Sequence, residues 1–282
     1  MIVGRGKAEL REALSGLRHD GRSVGLVPTM GYLHEGHLSL LRAAREECDV
    51  VVMSLFVNPT QFGPGEDLDR YPRDEARDMR LAAEAGTDLV YAPEEAEVYP
   101  PGFSTWVEVN GLTSVLEGDP LRRGPEHFRG VTTVVAKLFN SVQPDIAYFG
   151  QKDAQQAAVI RRMAADLDFA VRIVVLPTVR EPDGLALSSR NAYLSPAERQ
   201  RASALHRALA LAAESARSQS LPSALDAARC ELAESGVEPE YLEARDPETL
   251  APVRALNGRP VLVAVAAKIG PARLIDNVLI DP

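Results

Sequence analysis

Val24-Gly25-Leu26-Val27-Pro28-Thr29-Met30-Gly31-Tyr32-Leu33-His34-Glu35-Gly36-His37 is the stretch on which the fold turns. Residues 24–27 read as a buried strand, proline and glycine break it, and Leu38, Leu41 and Ala44 then fall on one helical stripe. Gly31 and Gly36 supply permissive backbone between the two. Strand, turn and helix in that order aim free backbone N–H groups and the positive end of the helix at an anion above the sheet, and phosphate is the natural guest. His34 and His37, three residues apart, share a face of the first helical turn, so both imidazoles can reach one phosphoryl group. Chance surface histidines, a metal pair and a ligand-free capped turn compete with this reading. The metal pair is the weakest of the three. A zinc helix requires H-E-x-x-H, the chain has only five histidines, and its two cysteines, Cys48 and Cys230, lie far apart.

Outward from this stretch, strand-like runs at 23–28, 49–57, 88–91, 145–149 and 171–176 alternate with helix-like segments at 37–47, 73–85, 131–142 and 154–168. That alternation implies βαβ units and an α/β fold, a Rossmann-like, doubly wound parallel sheet, in which ligands bind outside the carboxyl ends of the strands. Polar signals gather at those ends. His34 and His37 follow the first strand, Asn58-Pro59-Thr60-Gln61-Phe62 the second, and Gly150-Gln151-Lys152-Asp153 the fourth.

Beyond about Thr178 the pattern changes. Ser195-Pro196-Ala197-Glu198 has the form of a capping box, with an alanine-rich helix expected to about Ser218, a second helix over 222–235, and strands at 241–244, 261–267 and 274–280. The expected organisation is a nucleotide- and substrate-binding domain over 1–177 and a smaller C-terminal α+β lid domain over 178–282.

In 282 residues, 45% hydrophobic and 25% charged content is that of a folded globular chain. Residues 1–14 lack the apolar core of a signal peptide, and the longest apolar runs, such as 261–267, are too short to cross a bilayer. With two unclustered cysteines, the expectation is a cytoplasmic protein with no membrane partner. A net charge of −9 without a dense Lys/Arg run argues against nucleic-acid binding, though a local pocket can still be positive.

Each polar cluster has a chemical and a plain reading. Lys152 suits phosphate as a point charge, and Asp153 either accepts from a ribose hydroxyl or simply caps a helix. In Leu187-Ser188-Ser189-Arg190-Asn191 two hydroxyls beside a guanidinium suit an oxyanion, although in isolation a surface turn is the better reading. Asn58 and Gln61 carry neutral amides fit for a hydroxylated carboxylate, or they form a strand-ending turn. One of Gln155 and Gln156 is expected to face the cleft. Together these clusters imply phosphate recognition from three sides. The chain has neither G-x-x-x-x-G-K-[ST] nor G-x-G-x-x-G, which disfavours a P-loop kinase or a dinucleotide dehydrogenase. Nucleotidyl transfer at an α-phosphorus is the leading class.

Pro28-Thr29-Met30-Gly31 with His34-Glu35-Gly36-His37, Phe56-Val57-Asn58-Pro59-Thr60-Gln61-Phe62, Tyr71-Pro72-Arg73, His127-Phe128-Arg129-Gly130-Val131, Phe149-Gly150-Gln151-Lys152-Asp153 with Gln155-Gln156, and Leu187-Ser188-Ser189-Arg190-Asn191 resemble, in order, the motifs of the pantothenate synthetase (pantoate–β-alanine ligase) family. That family sits in the nucleotidyltransferase superfamily with an H-x-G-H signature, and the resemblance covers nearly the whole chain. It implies attack of pantoate on the α-phosphorus of ATP with Mg²⁺, release of pyrophosphate, and displacement of AMP from pantoyl adenylate by β-alanine. By the same resemblance His37, His34, Lys152 and Arg190 are the catalytic candidates, with His37 cast as proton donor. Met30, Gly31, Gly150, Asp153, Val179, Leu187, Ser188 and Ser189 join them around ATP, with Val179 at the adenine. Gln61, Gln156 and Asn58 are assigned to the substrate. A homodimer is also implied.

Two departures stand out. Gln151 occupies a position where the family usually has glutamate, and Asp74, Glu75 and Asp78 follow Tyr71-Pro72-Arg73 with Arg77 interposed where some relatives place acidic Mg²⁺ ligands, so metal ligands stay unassigned. The chain ends soon after Ile280, an ending expected to spare the cleft. A nucleotidyltransferase acting on another small acid and a catalytically silent nucleotide-binding protein are the competing functions.

Overall fold

Apolar strands buried on both faces build a parallel sheet, and here they do so twice over in the centre. β2 (Val24–Thr29) and β3 (Val50–Leu55) are buried almost throughout, as strands covered by helices on both sides must be. A computed structural model describes residues 1–281. The chain divides into two compact units, Met1–Gly150 with Val159–Leu176, and Gln151–Ala158 with Pro177–Pro282. Residues 151–158, which the sequence alone puts inside the first domain, thus group with the second unit.

The first unit runs β1 (Ile2–Gly4), α1 (Lys7–Leu17), β2, α2 (Glu35–Glu47), β3, α3 (Glu75–Glu84), β4 (Leu89–Tyr91), α4 (Glu95–Val98), α5 (Pro125–Val142) and β5 (Ile146–Gly150). The part of α6 (Ala154–Asp166) from Val159 onward and β6 (Arg172–Leu176) complete it. Its six strands lie in the order β1-β4-β3-β2-β5-β6 and every pairing is parallel. The order reverses between β2 and β5, the position at which such sheets hold ligands. There the ladder from β2 to β5 stops at Leu26, two residues before Pro28, which has no N–H to extend it, while the ladder to β3 continues to Thr29. Leu33, Leu41, Val51, Met53, Val90 and Tyr148 fill the core on one side of this sheet, and Leu38 packs against them half-buried.

The five expected strands and four expected helices of this unit are present, with shifted ends. The sequence reading left out β1, α1 and α4. β1 is only three residues long and its Ile2 and Val3 are exposed, so it carries no apolar signature and exists through pairing with Leu89 and Val90. α5 begins at Pro125, not at residue 131, because Gly124 (φ 80°) turns the chain and Pro125 takes the first helical position.

The second unit contains α7 (Pro196–Ala202), α8 (Ala204–Ser215), α9 (Leu221–Glu234) and an antiparallel sheet β7-β8-β9 (Pro239–Arg245, Val261–Ile269, Ala272–Ile280). The capping box forms: the Glu198 N–H donates to Ser195 Oγ, and the Ser195 N–H donates to Glu198 Oε2 at 2.8 Å. The single helix expected after it is broken at Ser203, whose hydroxyl turns back to the Gln200 carbonyl at 2.9 Å. Leu205, Leu209, Ala224, Leu232, Val263 and Val265 form this unit's own core.

Candidate active site

In the first unit the sheet's switch point leads directly into residues 30–37. Thr29 Oγ1 donates to the Ser54 carbonyl at 2.7 Å and accepts the Gly31 N–H at 3.3 Å, closing the end of β2 onto β3. Gly31 (φ +84°) and Tyr32 (φ 50°) are both left-handed, and a Cβ on Gly31 would stand 2.8 Å from Leu55 Cδ1 and 3.0 Å from Asp78 Oδ2. Only glycine fits there. The backbone N–H groups of Tyr32 and Leu33 each donate to the Asp78 carboxylate at 2.7 Å, and Asp78 is 1% exposed. Burial pushes the Asp78 carboxyl up, against the downward pull of those two donors and of Arg77, whose guanidinium lies 3.8 Å away and over the Tyr32 ring.

This turn delivers His34 to the N-cap of α2 in extended conformation and His37 to its first turn. Their ring centroids are 4.1 Å apart, and the His34 N–H donates to His37 Nδ1 at 3.3 Å. Neutral His37 therefore carries its ring proton on Nε2. The two rings lie side by side, with His34 at the N-cap and not within the first turn itself.

The loop after β3 is built around Asn58, which is 2% exposed. Its Nδ2 donates to Gln61 Oε1 and to the Gly130 carbonyl, each at 3.1 Å, while its Oδ1 accepts from Thr60 Oγ1 at 2.9 Å and Tyr99 OH at 2.8 Å. All four bonds stay within the protein, so Asn58 shapes Gln61. Gln61 Nε2 in turn donates to Met30 Sδ at 3.2 Å, joining two of the expected site residues.

His127 holds the other side of Gln61. Burial first, and the Arg123 charge second, push its imidazole down to about 4, so it is neutral near pH 7. Nδ1 donates to the Gln61 carbonyl at 2.7 Å and Nε2 accepts from Arg123 Nη1 at 3.2 Å. Arg123 also grips Glu66 through bonds of 2.9 and 2.6 Å. Burial alone would push the Glu66 carboxyl up, but the guanidinium outweighs it and holds the group below its usual range.

In the second unit Lys152 sits in a short 3-10 turn, Gln151–Asp153, with its ammonium 3.7 Å from Asp153 Oδ1. Gln155 is buried and Gln156 is half-buried. The Leu187 N–H donates to the Val179 carbonyl at 3.0 Å, which closes a loop ahead of Ser188, Ser189 and Arg190. Ser188 Oγ accepts the Arg190 N–H at 3.3 Å, and Ser189 is buried. Asn191 donates to the Ala186 carbonyl at 3.1 Å and to Glu181, which Arg199 holds at 2.7 Å.

Asp78, His127, Arg123, Asp276 and Asn277 were given no role by sequence reasoning. Signals existed for four of them: His127 opens the motif His127-Phe128-Arg129-Gly130-Val131, Asp78 is among the unassigned carboxylates after Tyr71-Pro72-Arg73, and Asp276-Asn277 interrupts an apolar strand. Among the described residues no three His, Cys, Asp or Glu side chains converge as metal ligands, and no helix is long and apolar enough to cross a membrane.

The family model for pantoate–β-alanine ligase matches residues 3–279. The chain is 55% identical over 278 residues to the pantothenate synthetase of Moorella thermoacetica, covering 97% of this chain and 96% of that one. It is 53% identical over 275 residues to pantothenate synthetase 1 of Bradyrhizobium diazoefficiens, with 97% and 96% covered. Among solved structures, the pantothenate synthetase of Thermus thermophilus superposes with a TM-score of 0.94 at 51% identity, covering 100% of both chains. The pantoate–β-alanine ligase of Francisella tularensis, complexed with beta-gamma ATP and β-alanine, superposes with a TM-score of 0.82 at 33% identity over 99% of this chain and 97% of that one.

Proposed function

The chain belongs to the pantoate–β-alanine ligase family, and from that premise we propose how its own residues carry out the ATP-dependent joining of pantoate to β-alanine. The reaction takes two steps. A carboxylate oxygen of pantoate bonds to the α-phosphorus of ATP as the bond to the bridging oxygen breaks, giving pantoyl adenylate and pyrophosphate. The amine of β-alanine then bonds to the acyl carbon, loses a proton, and expels AMP, leaving the amide.

The observation that carries this reading is the pair at the start of α2. With Nδ1 accepting a backbone N–H, His37 presents Nε2–H as a donor where a phosphate oxygen gains charge. His34, at 4.1 Å between centroids, shares that role on the same phosphates. Met30 and Gly31 line the nucleotide beside them, and Gly150, Asp153, Val179 and Leu187 take the ribose and adenine. Lys152, Ser188, Ser189 and Arg190 supply donors and charge to the phosphates. Gln61 exchanges its weak bond to Met30 Sδ for one to pantoate, Gln156 adds a second amide, and Asn58 holds Gln61 in register.

Mg²⁺ is proposed to arrive on the triphosphate. Bound there, it would offset charge that builds on the transferred phosphate, beside the donors of His34, His37 and Lys152. A cytoplasmic homodimer completes the proposal. The cysteines Cys48 and Cys230, both free, support a reducing compartment, and light scattering on purified protein checks the dimer.

The test is pyrophosphate release by purified protein with ATP, Mg²⁺ and pantoate, followed by AMP and amide release when β-alanine is added. Pyrophosphate released with pantoate alone supports the adenylate. Release that requires β-alanine as well argues for a concerted route, and adenylation of a different acid moves the substrate.

A further inference from the structure

The Lys152 turn is held from a strand far along the chain, in the same unit. Asn277 lies in β9, 126 residues after Gln151, and is 4% exposed. Its Nδ2 donates to the Gln151 carbonyl at 2.8 Å and to the Lys152 carbonyl at 2.9 Å. Its Oδ1 accepts from Gln151 Nε2 at 3.0 Å. One carboxamide thus directs both amide hydrogens and its oxygen to a single turn.

Those two carbonyls belong to the peptide planes on either side of the Lys152 Cα. Fixing both planes fixes φ and ψ of Lys152, and with them the direction in which its side chain leaves the backbone. Asn277 is itself fixed. Its N–H donates to Asp276 Oδ1 at 2.8 Å, and Arg180 grips the Asp276 carboxylate through bonds of 2.6 and 3.0 Å. Arg180 also donates to the Asn277 carbonyl at 3.5 Å and the Gly184 carbonyl at 3.1 Å.

Stability gives little reason for this arrangement. Asp276 is 3% exposed, and buried ion pairs are weak stabilisers compared with apolar side chains of similar size. β9 otherwise follows strand rules, with Leu274, Val278 and Ile280 packed in the apolar core. A valine at 277 would suit such a strand better, but it could not hold two carbonyls. Gln151 fits the same logic, because its carboxamide donates from the side chain to Asn277 Oδ1, which an ionised carboxylate at that position could not do.

We propose that Asn277, locked by Asp276 and Arg180, is a positioning residue that aims Lys152 for phosphoryl chemistry. The inference rests on the reading of Lys152 as a phosphate-binding cation. Its test is a double-mutant cycle, with pantoate-dependent pyrophosphate release as the rate and thermal unfolding as the control. Asn277→Ala lowers the rate about tenfold or more, as a misdirected catalytic group does. Over the residual rate of Lys152→Ala, the same substitution changes the rate less than about twofold, because there is no ammonium left to aim.

A slow Lys152→Ala with a wild-type rate for Asn277→Ala overturns the inference and leaves the reading of Lys152 standing. Losses that multiply in the double variant also overturn it, since they assign Asn277 to general structure. A wild-type rate for Lys152→Ala removes Lys152 from the reaction, and this inference falls with it. If Asn277→Ala does not fold, Gln151→Met removes only the Nε2 bond from a half-buried site. It is expected to slow the reaction several-fold in the wild type and not in Lys152→Ala, and equal effects in both backgrounds refute the proposal.

Discussion

His37 has one ring nitrogen that accepts from the backbone and one that carries the proton. The bond from the His34 N–H places that proton on Nε2, so the side chain works as a hydrogen-bond donor whose orientation the helix start fixes. Replacing it with alanine removes the Nε2 donor and also the acceptor of the half-buried His34 N–H, and the adenylation rate is expected to fall by roughly 10²-fold or more with only a small drop in unfolding temperature. Pantoate-dependent pyrophosphate release at saturating ATP measures this, and a wild-type rate would exclude His37 from the chemistry. His34 and His37 were legible in the sequence because the strand, the glycine and the helical turn that carry them are contiguous, although the Asp78 clamp on that turn is not. His127 was not. Its motif was visible, but its role depends on Arg123, Glu66 and the Gln61 carbonyl, which meet it only after folding.

Between residues and sheet stands the turn from β2 to α2, and α3 decides its shape. Two backbone N–H groups of that turn have Asp78 as their acceptor in a place that water does not reach. Asp78→Ala leaves both donors buried and unpaired, at a cost of about 1–3 kcal/mol for each group so stranded. The variant is expected to unfold at lower temperature and to adenylate more slowly, since the left-handed pair Gly31-Tyr32 loses its anchor just ahead of His34. Thermal melts and the same release assay decide the matter; a variant that matches wild type in both would show that the turn holds itself. Element types were readable from periodicity, and element ends were not. The break at Ser203 lies inside a continuous helical pattern, and β1 is recognisable only by its neighbour β4. Asp74, Glu75 and Asp78 stand where some relatives place acidic metal ligands and are left unassigned from sequence, and only the tertiary contact identifies Asp78 as a clamp.

At the scale of the molecule, these buried groups tie stability to pH. His127 binds a proton in the unfolded chain at its ordinary value of 6.5, but in the fold only near 4, because burial and Arg123 disfavour its charge. A group whose folded value is depressed in this way stays neutral in the native state while the unfolded chain takes up protons. Stability is therefore full above about pH 6.5 and declines as pH falls toward 4, by up to about 3 kcal/mol from this residue. His206, also pushed down by burial, first, and by Arg180, acts in the same direction. The paired carboxylates Glu66 and Glu181, held below their ordinary value of 4.5, lose their contribution only at lower pH. Asp78, raised by burial, opposes them there. Asp78 takes up its proton in the fold before the unfolded chain does and so acts against the histidines between pH 6.5 and 4.5; the difference between the wild-type chain and a His127 variant isolates that histidine. Urea midpoints taken at about pH 7 and about pH 5 should show a marked loss for the wild-type chain and a smaller one for His127→Asn, which keeps a donor for the Gln61 carbonyl but cannot titrate. Equal losses in the two proteins would mean that His127 does not supply the acid sensitivity, and the depressed value assigned to its buried imidazole would be wrong.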